Sequence, residues 1–154
     1  MKLHHILLSL IISILLLQSC SKENYSIENA IMRLPLGAGT NSAAFFTLTN
    51  NTDEDIKIVS ASSTLDAKIE VHNVSMMNGM MHMHEVEFIE VGAHKSQEFK
   101  SGAYHIMMMG IKDQLKANDQ VTITLELSSG ESISFDATVT DLNAMKTDSM
   151  PMHH

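Results

Sequence analysis

The chain has a single cysteine, Cys20, a single arginine, Arg33, and no tryptophan in 154 residues. A lone cysteine closes no intrachain disulfide and forms no CxxC redox pair. One arginine supplies no cluster for gripping phosphates or reading bases. A formal net charge of −8 repels a nucleic-acid backbone, so nucleic acid is not expected as a partner. No long charged or Pro/Ser-rich run marks a disordered stretch. Oxygen clusters at the spacing that calcium or magnesium requires are missing. A Ser/His/Asp set and a paired-carboxylate arrangement are missing too. Glu85/Glu87 and Asp53/Glu54 read as solvated strand and turn residues, and the chain is not expected to be an enzyme.

Two residue types are present in excess: thirteen methionines and nine histidines. A hydrophobic fraction of 44% is enough for one domain with a buried core. At the start, Met1-Lys2 is positive and residues 6–17 form an apolar run of signal-peptide length. Leu17-Gln18-Ser19-Cys20 resembles the bacterial lipobox, whose cysteine is acylated and becomes the mature N-terminus. Residues 1–19 are then a signal peptide, and Cys20 carries a lipid that holds the protein at a membrane surface without a transmembrane helix. Acylation removes the only thiol. Any soft metal ligand in the mature domain must be methionine or histidine.

Residues 20–29 read as the lipidated N-terminus and a polar tether, residues 30–140 as a β-domain, and residues 141–154 as a flexible Met/His-rich tail. Strands are expected at residues 43–49, 56–61, 68–74, 82–89, 96–100, 103–109, 121–127 and 132–139. About seven to nine short strands at roughly ten-residue spacing imply an all-β sandwich or barrel. Only residues 111–117 look able to form a turn of helix.

Within residues 102–110, GAYHIMMMG, strand alternation puts Tyr104, Ile106 and Met108 on one face and His105, Met107 and Met109 on the other. The first set suits a core. The second sets an imidazole beside a thioether at a separation that can share one ion. His72 sits near the end of an alternating strand and is expected to face outward with Glu70. The run SMMNGMMHMHE, residues 75–85, places five methionines and two histidines around the turn dipeptide Asn78-Gly79. Thioethers are soft and neutral imidazole is borderline, so with no thiolate the set suits Cu(I). A blue-copper electron-transfer site needs a cysteine thiolate, which this domain lacks.

The spacing His72, ten residues, Met83, twenty-one residues, His105, one residue, Met107 resembles the signature of the periplasmic copper chaperone family PCu(A)C. IEVHNV, GAYHIMMMGIK, KANDQVTITLEL and AAFFTLTN extend the resemblance over residues 30–139. The resemblance implies a cupredoxin-like Greek-key β-barrel and one Cu(I) held by His72, Met83, His105 and Met107. It also implies delivery of copper to the Cu(A) centre of cytochrome c oxidase, often alongside a Sco-type protein. Two features depart from the pattern. Met76, Met77, Met80, Met81, His82 and His84 crowd Met83, either competing for its metal or holding a second one. The tail adds Met145, Met150, Met152, His153 and His154, a further capture site in which the histidine pair suits Cu(II). A membrane-anchored copper buffer without a dedicated acceptor fits the same residues.

Overall fold

A computed structural model describes residues 23–141. Every regular element among them is a strand: β1 (Tyr25–Arg33), β2 (Ser42–Asn50), β3 (Ile56–Ser63), β4 (Lys68–Met77), β5 (Met80–Glu85), β6 (Ile89–Val91), β7 (Ser96–Phe99), β8 (His105–Met109), β9 (Gln120–Leu127) and β10 (Ser132–Thr140). Cys20 and the tail residues Met145, Met150, Met152, His153 and His154 lie outside the described residues.

Alternation explains the strongest strands. In β9, Val121, Ile123, Leu125 and Leu127 are buried while the threonines and Glu126 between them are not. Ala44, Phe46 and Leu48 of β2 point into the same core. Phe46 stacks on Phe99 of β7 with ring centroids 4.2 Å apart. Each large apolar side chain buried this way contributes roughly 1.5–3 kcal/mol.

The strands follow the order β5-β4-β8-β2-β1-β10-β9-β3-β6, with β7 also paired to β2. All pairings are antiparallel except β1 with β10. β1 is bulged between Glu28 and Ile31, where Asn29 adopts φ 54°. Such a bulge bends a strand and increases its twist. Here it lies just before the segment in which β1 gains β10 as a second neighbour.

The all-β expectation holds, with differences of detail. Ten strands form, and their hydrogen-bonded path is open, with β5 and β6 at its ends, rather than a closed barrel. Residues 25–29, expected in the tether, belong to β1: their polar side chains do not prevent backbone pairing with β2. The strand expected at residues 82–89 is broken after Glu85, where Val86 N–H turns to donate to Val71 C=O. Residues 111–117 form no helix; Ile111 is buried and its N–H donates to Thr40 C=O.

Candidate metal centre

β4 and β8 pair so that His72 lies directly opposite His105 and Glu70 opposite Met107. Side chains opposite each other share a face of the sheet. The inward face of this pair carries Ile69, Val71, Ile106 and Met108, all part of the core or packed against it. The outward face therefore carries Glu70 and His72 beside His105, Met107 and Met109.

The neighbouring hairpin adds a third strand to that face. Asn78 and Gly79 have φ values of 51° and 78°, the left-handed pair of a two-residue type I′ turn, for which Asn-Gly is the preferred sequence. This turn fixes the register: Val74 opposes Met83, Met76 opposes Met81 and His72 opposes Glu85. Met81 and Met83 thus share the face of the two histidines. His82 and His84, opposite Ser75 and Asn73, lie on the reverse face, as does Met80, opposite Met77. The crowd of donors around Met83 is divided by the pleat. Only Met76 and Met81 share its side.

The two imidazoles stand 5.9 Å apart between centroids and at 60°. Both are buried, His72 at 8% and His105 at 5% exposure. His72 is on the outward face, as alternation requires, yet it is not exposed. β5 and β8 flank it on both sides, and Glu70 lies against it.

Hydrogen bonds set the proton on each ring. His105 Nδ1 lies 2.9 Å from Ala103 C=O. A carbonyl only accepts, so Nδ1 donates and Nε2 keeps the lone pair. Burial, aided by His72 and Arg33 and opposed by the Ala103 carbonyl, pushes the His105 pKa below its ordinary value. The ring is neutral at neutral pH. His72 Nε2 lies 2.6 Å from Glu70 Oε2. Lys68 first, and His72 after it, hold the Glu70 carboxyl below the usual carboxylate range, so the carboxylate accepts from His72 Nε2–H. In the neutral ring, the form that can bind a metal, that leaves His72 Nδ1 as the lone-pair nitrogen. It is buried without a hydrogen-bond partner. An unpaired buried nitrogen costs about 1–3 kcal/mol and is a vacant donor toward a soft cation.

Met81, Met83, His105 and Met107 line one shallow depression, together with Phe45, Val74 and Arg33. His72 is buried beside His105 rather than on its wall. Met81 reaches across to the turn before β8: a Cβ on Gly102 would lie 3.9 Å from its methyl carbon. Among the described residues no three of His, Cys, Asp and Glu gather closely enough to hold a metal ion. A metal bound here must therefore draw on thioethers. Sequence alternation places Glu70 beside His72 but does not show the hydrogen bond between them. It counts Met81 among the donors crowding Met83 without separating it from those on the other side of the hairpin.

Residues 25–139 match the model of the family described as "Putative lipoprotein LpqE-like". An uncharacterized protein of Rickettsia prowazekii (strain Madrid E) is 33% identical over 89 residues, which are 57% of this chain and 49% of that protein. The chain spans about half the length of that relative. Among solved structures, the Cu(I)-bound form of DR1885 from Deinococcus radiodurans is 26% identical with a TM-score of 0.62, over 82% of this chain and 86% of that one. The copper-bound PCuAC domain from PmoF2 is 16% identical with a TM-score of 0.63, over 77% of this chain and 93% of that one. The fold is thus the cupredoxin-like fold of PCuAC domains, as the resemblance in the sequence implied.

Proposed function

The chain belongs to the LpqE-like family, and from that premise we propose that it is a Cu(I) chaperone of the cell envelope, anchored by a lipid on Cys20 and facing the periplasm. The observation that carries this reading is the buried, unpartnered Nδ1 of His72 beside a second imidazole whose Nε2 keeps its lone pair. His72, Met83, His105 and Met107 are the proposed ligands, with Met81 able to stand in for Met83. All are neutral, and neutral sulfur and nitrogen donors without thiolate suit Cu(I). The likeness to DR1885, solved with Cu(I), supports the same cargo.

The two ligand types divide the work. The buried histidines are held by Ala103 and Glu70 and form the fixed side of the site. Met83 is 53% exposed on an edge hairpin and forms the side that lets go. Copper moves by ligand exchange: thiolates of an acceptor replace the thioethers in turn, and no substrate bond is made or broken. The proposed acceptor is the Cu(A) centre of cytochrome c oxidase, reached directly or with a Sco-type protein. The loaded chain is expected to metallate an apo Cu(A) domain faster than a small-molecule Cu(I) complex of equal affinity, followed in timed samples by the visible absorption that the filled centre gains when a one-electron oxidant such as ferricyanide is added. Equal rates would favour the second reading, a membrane-anchored buffer, which the exposed thioethers Met76, Met77, Met80 and Met81 support.

Glu70 gives a finer test. Glutamine can donate or accept, so Glu70→Gln no longer fixes the His72 tautomer. Cu(I) affinity should fall about tenfold, within the range for an outer partner of a ligating histidine. The ring-nitrogen NMR shifts of His72 should show loss of the Nε2–H form. Unchanged shifts would mean that Glu70 does not orient the ring.

A further inference from the structure

We propose that the reverse face of the β4–β5 hairpin is a second soft-metal site, built from Met77, Met80 and His82 and separate from the depression that holds Met83. It stands on its own observations, not on the chaperone reading.

The register defines it. Met77 and Met80 are directly opposed beside the Asn78-Gly79 turn, and Ser75 opposes His82. His82 and His84 are two residues apart on one strand, so their side chains project from the same face about 7 Å apart. Cross-strand neighbours such as Met77 and Met80 lie closer, about 4.5–5.5 Å between Cβ atoms. His84 lies four residues along β5 from Met80, about 14 Å away, so the groups within reach of one ion are Met77, Met80 and His82.

Three observations argue that these groups are not there for packing. Every residue of β5 is exposed, and Met77 and Met80 are 56% and 62% exposed. Large thioether side chains gain little from that position. His72, His94 and His105 each have a hydrogen-bond partner. His82 and His84 have none among the described residues. The hairpin places no carboxylate on this face: the remaining positions are Asn73, whose Oδ1 accepts from Val74 N–H, and Ser75. A neutral sulfur and nitrogen set without oxygen anions discriminates against calcium, magnesium and manganese and favours Cu(I) or another soft monovalent cation. The turn also isolates the site. Met81 and Met83 line the depression, while Met77, Met80, His82 and His84 do not.

The test uses the full mature chain with carbon-13 methionine methyls, titrated anaerobically with Cu(I). The Met77 and Met80 methyls and the His82 ring should shift together as copper is added beyond the first equivalent. The same shifts should persist in His105→Ala. The His82→Asn variant should bind one equivalent fewer while Met83 and Met107 still respond to the first. The proposal is overturned if the Met77 and Met80 methyls stay unmoved or if the His82→Asn variant keeps its full stoichiometry. It is equally overturned if those methyls move only with Met83 and stop moving in His105→Ala, which would mean one shared site. If Met77 and Met80 respond but Met107 and His105 do not, the chaperone reading fails and this site stands.

Discussion

His105→Ala is expected to abolish the tight Cu(I) equivalent. The ring is buried, its Nδ1 proton is committed to Ala103, and its Nε2 has no other role in the described structure. Outer partners of ligating histidines already cost 10–100-fold when removed, so loss of the ring itself should weaken binding by about a hundredfold or more. No other described histidine can replace it. His72 has its own position in the set, and His82 and His84 lie on the reverse face of the hairpin. An anaerobic competition against a coloured Cu(I) chelator reads the effect directly. Affinity indifferent to this change would return His105 and Met107 to packing, and the family likeness would then describe a fold only.

Met81→Leu and Met83→Leu should behave quite differently from His105→Ala. Each alone should weaken Cu(I) binding by less than about tenfold, because the other thioether lies on the same face and on the wall of the same depression. Together they should weaken it by about a hundredfold or more, well beyond the product of the single effects. Leucine keeps the volume and removes only the sulfur, so the hairpin itself should survive. Neighbours that can serve in each other's place show this kind of non-additivity, whereas independent ligands show simple products. The chelator competition on the two single variants and the double variant decides between them. Additive effects would make Met83 the sole thioether contributed by the hairpin.

Much of this was legible before any coordinates. The two faces of β8 follow from alternation: Ile106 and Met108 are in the core and His105 and Met107 share the opposite side. The Asn78-Gly79 turn was readable as well, because few dipeptides accept the left-handed backbone on both residues. What the turn does to the donors was not read. The division of Met81 and Met83 from Met80, His82 and His84 depends on one register, and a slip of a single residue would exchange the two sets. The burial of His72 also escaped local reasoning. It depends on β5 and β8 closing around it from distant or folded-back sequence. The start of β1 was hidden for a related reason. Its polar residues look like a tether, and only pairing with β2 makes them a strand.

That first strand fixes how far the proposed lipid can let the copper centre travel. β1 begins at Tyr25, five positions after Cys20, and a fully extended span of that length reaches at most about 18 Å. At its other end, Arg33 lies on the wall of the depression, about 25 Å along the strand from Tyr25. From Arg33 the depression extends back along the sheet through Phe45, which pairs with Ile31, to Met83 and Met81. Through β2 and β8, β4 runs opposite to β1, from the Arg33 end toward the Tyr25 end, so a lipid on Cys20 would hold the domain close to the bilayer with its thioether hairpin turned toward the anchored end. The short leash would restrict the search for an acceptor to two dimensions at a nearly fixed height, with the thioethers facing partners that lie close to the membrane surface.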